Sequence, residues 1–248
     1  MNHVLDMYLV EHCCVNTATV LRYYGRVAGA EFQRARSPQA KKLRHDAIVD
    51  AARCLGAEKG VSRVTLTDIA DAVGMHKSAM LRYFETREEI FLRLTAQAWQ
   101  EWSTCLRREL AMLTTPAAAD VARVIASTLT ARDLFCDLLA QTSLHLERNV
   151  SVDVVREYKL TALAELAHIV AALRQSLPAL SEDYAGDVIA TATGLAGTFW
   201  HIATPGPDVA ALYRSDPRLA HAIVDIRPRL TRILTALLDG MTDTTPPD

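Results

Sequence analysis

The sequence predicts an all-α protein. Three observations carry this. Ala and Leu are abundant while Gly (10) and Pro (9) are sparse in 248 residues, a composition that favours helix. Apolar residues recur at helical spacing from Lys41 onward, and no stretch alternates apolar and polar as a half-buried strand must. Half of the residues are apolar and only 23% are charged, so the chain can bury a core.

Residues 1–38 show no periodicity and are expected to form a poorly ordered N-terminal extension, ending in a linker-like "RARSPQA" (Arg34 to Ala40). The first helix is read from Ile48, Ala51, Ala52 and Leu55, at i, i+3, i+4 and i+7, and stops at Gly60. Thr65-x-x-Asp68 is the acidic form of a capping box and opens the second helix, with Leu66, Ile69, Ala70 and Val73 as its buried stripe. Gly74 closes it, because the residue just past a helix end prefers positive φ. A short third helix is expected from about Lys77 to Phe84, and Thr86-x-x-Glu89 caps a long fourth one running to about Leu113. Further helices are expected near 117–129, 131–147, 151–176, 182–203 and 219–239, with breaks at Pro178, Pro205 and Pro207. Pro228 requires the last helix to start or kink there.

Helix, a tight turn at Gly74, then a short helix is the spacing of a helix-turn-helix. Such a second helix presents base-reading groups at its N-terminal end and phosphate contacts around it. His76, Lys77, Ser78 and Arg82 supply donors, Tyr83 a hydroxyl, and Arg87 a charge at the next helix start. The N–H groups at the Thr65 and Thr86 helix starts are also suited to phosphate. The expected DNA-binding set is Thr65, Thr67, His76, Lys77, Ser78, Leu81, Arg82, Tyr83 and Arg87. Charge agrees with it: residues 41–93 hold ten Lys/Arg against eight Asp/Glu, a net of +2. Residues 94–248 hold thirteen against eighteen, a net of −5, which disfavours a second polyanion site there.

Ile48 to Leu94 resembles the N-terminal domain of the tetracycline-repressor (TetR) family of bacterial one-component regulators. The motifs are "AIVDAARCLGAEKG", "VTLTDIADAVGM" and "HKSAMLRYFETREEI". The resemblance implies a three-helix helix-turn-helix head over residues 39–95, joined by a long helix to a helical ligand-binding and dimerising body over 96–248. Three positions depart from the family pattern. Gly56 stands where Phe is usual, Leu81 where a phosphate-touching Tyr is frequent, and His76 where Ser often caps the recognition helix.

In the body, Ala190, Gly194, Gly197 and His201 share one helix face. Small residues let helices approach closely, so this face suits either a subunit interface or an intrachain contact. Leu230, Ile233, Leu234, Leu237 and Leu238 form a stripe that is either the partner of that face or core. A cavity lined by some of Trp102, Phe135, Tyr158 and His168 would accept an apolar effector. The uncharged stretch Val188 to Pro207 is too rich in Thr, Gly and Pro for a membrane span.

Five cysteines without CxxC spacing, two of them adjacent (Cys13, Cys14), suggest a reduced, cytoplasmic protein. His145, His168 and His201 form no recognisable metal set, no cofactor is expected, and no GxSxG, HExxH, Walker or GxGxxG motif appears. The expectation is therefore a non-enzymatic, homodimeric regulator on a palindromic double-stranded operator, a repressor released by a small apolar molecule. The alternative is a non-catalytic helical adaptor whose hairpin binds protein.

Overall fold

The computed structural model describes residues 38–222 and 224–243, and among these there is no strand. The chain divides into two compact units, a head ending at Ile90 and a body starting at Phe91.

The head contains α1 (Pro38–Lys59), a 3-10 turn (Val61–Arg63), α2 (Leu66–Ala72) and α3 (Lys77–Met80). The first turn of α4 (Arg87–Ala111) also belongs to it. Ile48, Val49, Ala52 and Leu55 face the core from α1, and Ile69, Ala70, Met80 and Phe84 close over them. The buried Gly56 lies on the same side of α1. His45 adds an aromatic contact to Phe84, with ring centroids 4.4 Å apart.

Two expectations about the head are corrected. Pro38 and Ala40, assigned to a linker, are already helical; proline suits a first helical position, where its missing N–H has no helical acceptor. The rest of the expected extension, with Cys13 and Cys14, lies outside the described residues. The third helix stops at Met80 rather than at Phe84. Beyond it the chain tightens into i−3 bonds, from Arg82 N–H to the Ala79 carbonyl (3.3 Å) and from Tyr83 N–H to the Met80 carbonyl (2.8 Å).

The body comprises the rest of α4 with α5 (Ala118–Thr130), α6 (Asp133–Gln141), α7 (Val152–Ser176), α8 (Glu182–Ala203), α9 (Pro207–Ser215) and α10 (Ile226–Asp243). A π-turn (Thr142–Leu146) extends α6, and a 3-10 helix (Pro217–Ala222) follows α9. α10 packs chiefly on α5, and α8 packs on α6, α10 and α7. Their shared core includes Val121, Ile125, Leu129, Phe135, Leu138, Val188, Ile189, Ala192 and Ala196.

Pro207 does not only break a helix but starts one, α9, which the periodicity does not reveal because none of its residues is buried. The last helix begins at Ile226 rather than near 219, so Pro228 falls in its first turn and disrupts no helical bond. The uncharged stretch from Val188 lies largely on α8, whose apolar residues face the body core. No helix among the described residues is long and apolar enough to cross a membrane.

Candidate nucleic-acid interface

The two ends of the head's central turn are fixed by side chains. At the start of α2, Thr65 donates from its backbone N–H (2.7 Å) and its hydroxyl (2.6 Å) to Asp68 Oδ2. Asp68 N–H donates back to Thr65 Oγ1 (3.1 Å), completing the capping box. The Thr65 hydroxyl and N–H hold the Asp68 carboxyl below its ordinary range, helped by Lys59 Nζ at 3.6 Å. The Thr65 hydroxyl proton is therefore committed within the head, whereas the Thr67 side chain is exposed and has no hydrogen bond among the described residues.

At the other end Gly74 adopts φ +64°, the left-handed region that favours glycine. Gly74 N–H reaches the Asp71 carbonyl (3.1 Å) and Met75 N–H the Ala70 carbonyl (2.8 Å), which terminates α2 and redirects the chain into α3.

His76 takes over the cap of α3. Its Nδ1 accepts from Ser78 N–H (3.4 Å) and lies 2.9 Å from Ser78 Oγ. The departure from the family's Ser thus keeps a cap by other means, and it ties up the Ser78 hydroxyl. Lys77 and Arg82 are exposed and without a partner among the described residues, and Leu81 is 49% exposed beside them. Tyr83 is half-buried, with an electrostatic interaction to Arg44.

Arg87 is a correction. Its guanidinium donates from Nε to the Val64 carbonyl, from one terminal nitrogen to the Val61 carbonyl, and from the other to Glu88 (2.9 Å). It clamps the α1–α2 connection to the start of α4 and has few donors left for an outside phosphate. Sequence spacing could not reveal this, because its partners are backbone carbonyls 23 and 26 residues away. Thr86 caps α4 as expected, its Oγ1 accepting from Glu89 N–H (3.1 Å).

The expected ligand residues separate in the body. Trp102 and Phe135 are almost fully buried and pack with Trp99 into one aromatic cluster, ring centroids 5.4–5.8 Å apart. The Trp102 indole donates to Thr128 Oγ1 (3.1 Å). Tyr158 lies beside Trp99 and Thr142, and burial pushes its phenol above its ordinary pKa. His168 is corrected: its side chain is exposed, next to Glu165 on the same helix.

A polar niche that composition does not flag adjoins this cluster. Arg93 Nε and Trp99 Nε1 are buried without a well-aligned hydrogen bond among the described residues, and Glu147 Oε1 is buried with Lys159 as its ion-pair partner. The neighbours of all three on α7 are consecutive residues: Glu157 pairs with Arg93, Tyr158 sits beside Trp99, and Lys159 Nζ lies 2.7 Å from Glu147. The π-turn brings Thr142 beside Tyr158, and such turns frequently mark functional sites.

The face expected at a subunit contact also divides. Gly197 packs inside the body, where an added Cβ would stand 2.9 Å from the Ala140 backbone nitrogen. Leu230, Leu234 and Leu238 are fully buried core. Ala190 and Gly194 are exposed, and Ile233 and Leu237 are half-buried. His201 is 44% exposed and bonds across to Gln141 (3.2 Å), with the buried Asp137 at 3.6 Å.

A capped helix-turn-helix head with unpaired cations, continuous through one helix with an all-helical body, defines a DNA-binding regulator of the one-component class. The chain belongs to the TetR family: the model for bacterial regulatory proteins of the tetR family matches residues 48–94, and that for the tetracyclin repressor-like C-terminal domain matches residues 96–245. It is a DNA-binding transcriptional regulator. Solved structures share its fold. A possible TetR-family regulator from Streptomyces coelicolor A3(2) is 20% identical, covers 79% of this chain and 97% of its own, and has a TM-score of 0.53. The fatty acid degradation regulator FadR of Bacillus halodurans is 15% identical over 79% of this chain and 98% of its own, with a TM-score of 0.52. The FadR of Bacillus subtilis, in complex with stearoyl-CoA, is 14% identical over 82% and 100%, with a TM-score of 0.51. No curated protein matches the chain.

Proposed function

We propose that the protein is a homodimeric repressor that binds a palindromic operator and is released by a small, mainly apolar molecule. The observation that carries the operator reading is the cationic set on and after α3: Lys77 and Arg82 are exposed and without a partner among the described residues, on a turn fixed by its own caps. Lys77, Arg82, Tyr83 and Thr67 serve the phosphates. His76 addresses base edges through Nε2, since Nδ1 is used by Ser78, and Leu81 offers an apolar contact to a thymine methyl. Thr65 acts through its cap, and Arg87 by holding the head together.

One short helix reads few bases, so specificity requires two heads on half-sites about 34–36 Å apart or a multiple of that. Ala190, Gly194, Ile233 and Leu237 are the residues for the contact between copies, because they stay accessible while their neighbours form the core. The effector site is the niche at Trp99, Tyr158 and Glu147, walled by Trp102 and Phe135. The stearoyl-CoA complex of the Bacillus subtilis FadR supports this reading, as a protein of this fold in complex with a molecule that has a long apolar tail.

The experiment is an electrophoretic shift with the DNA flanking the protein's own gene, at several salt concentrations. Binding to phosphates predicts a steep linear fall of log affinity with log salt. A salt-independent interaction would instead favour the adaptor reading. Effector candidates are then titrated with operator present and absent, since a releasing ligand and DNA weaken each other by the same factor.

A further inference from the structure

The body has a cleft of about 660 Å³ where the last turns of α4, α7 and α10 meet the first residue of α5. None of the residues assigned above to DNA, effector or dimer lines it. Leu110, Leu113, Leu177 and Pro178 form much of its wall, and its charged residues are Arg107 and Asp239.

Arg107 is half-buried and held in place by its own helix, Nε donating to the Ser103 carbonyl and hydroxyl oxygens at 3.3 Å each. Neither terminal nitrogen has a partner among the described residues, and no ion pair joins Arg107 to Asp239. An anchored guanidinium with two parallel donors free matches the planar fork of a carboxylate. The leucine and proline walls match an apolar tail, and the volume lies within the ordinary range for small-molecule sites. Asp239 leaves the lining with no net charge, which disfavours phosphates and other multiply charged anions.

We propose that this cleft binds a monocarboxylate with an apolar tail, the carboxylate seated on the free end of Arg107. The site is independent of the effector niche. Occupation ties together the ends of α4, α7 and α10 and therefore raises the melting temperature.

The test uses the full chain with sodium decanoate and, at equal concentration below micelle formation, 1-decanol, read by calorimetric titration and thermal melting. Decanoate binds and decanol binds at least about tenfold more weakly, because the alcohol cannot engage both guanidinium nitrogens as an anion. Arg107→Gln lowers decanoate affinity about tenfold or more. Ala172→Trp, which fills the cleft from α7, does the same without touching the charge. Trp99→Phe, in the niche, leaves decanoate affinity unchanged. Equal binding of acid and alcohol overturns the proposal, as does wild-type affinity in either cleft variant. Loss of binding in Trp99→Phe moves the ligand to the niche and overturns it as well.

Discussion

Gly194 and Gly197 lie less than one turn apart on α8, and substitution by alanine is expected to affect them with opposite sign. At Gly197 an added Cβ meets Ala140 of α6, its backbone N at 2.9 Å and Cα at 3.2 Å and its side-chain Cβ at 3.3 Å, against 3.4–4 Å for ordinary contact. Backbone cannot rotate away as a side-chain tip can, so α6 and α8 must separate by about 0.5 Å, which forfeits roughly a quarter of the dispersion well of each facing atom pair. Overpacking of this kind costs about 1–3 kcal/mol. Alanine recovers about 1 kcal/mol of helix propensity, leaving a net loss of about 1 kcal/mol. At Gly194 no described atom of the same chain lies within 4 Å of the added atom, so within the chain only the propensity gain of about 0.5–1 kcal/mol remains. The two variants should differ by about 2 kcal/mol, or roughly 4–8 °C in melting temperature for a protein of this size. The assay is urea and thermal unfolding followed by circular dichroism at one fixed protein concentration, because dimerisation shifts the apparent midpoint. Gly197→Ala melting at or above Gly194→Ala would refute the close-approach argument. Light scattering on Gly194→Leu then tests the dimer face separately: a monomer is expected, and a persistent dimer removes α8 from the interface.

Other perturbations separate roles that look alike in the sequence. Lys77→Ala should lower the salt slope of DNA binding by about 1 with an unchanged melting temperature, as expected of a phosphate contact. Arg87→Ala should lower the melting temperature instead, since it removes the guanidinium donor from the Val64 carbonyl and one of two donors from the Val61 carbonyl, at a cost of about 1–3 kcal/mol; an unchanged melting curve would return Arg87 to the DNA surface. Asp68→Ala should destabilise the head at neutral pH. Because the folded Asp68 pKa is depressed, that stabilisation is present above the ordinary aspartate pKa of about 4 and is lost as pH falls through the folded value, so the gap between variant and wild type should close in acid. Cys136, whose thiol burial pushes up to about 12, should resist alkylation at neutral pH until the body unfolds, and rapid labelling of the native chain would show that the α6 face opens.

The sequence by itself determined the helices that bury a face and the ends that are locally capped. The α2 start at Thr65 and Asp68, the left-handed Gly74 and the Thr86 cap all depend on contacts within three residues, so local spacing contained them. The helix-turn-helix and its exposed Lys77 and Arg82 were legible for the same reason. Where burial was lacking, the signal vanished: α9 has no buried residue and therefore no stripe to read. Roles set by distant partners were decided only by the tertiary structure. Arg87 reads as a surface cation until the fold brings the Val61 and Val64 carbonyls to it. Gly194 and Gly197 are indistinguishable as small residues on one helix, yet one is open and the other lies against Ala140. His168 separates from Trp102, Phe135 and Tyr158 because which flank of α7 turns inward depends on the helices packed around it. A helix encodes its own period and caps, but the neighbour that each face meets is fixed only when the long-range contacts close.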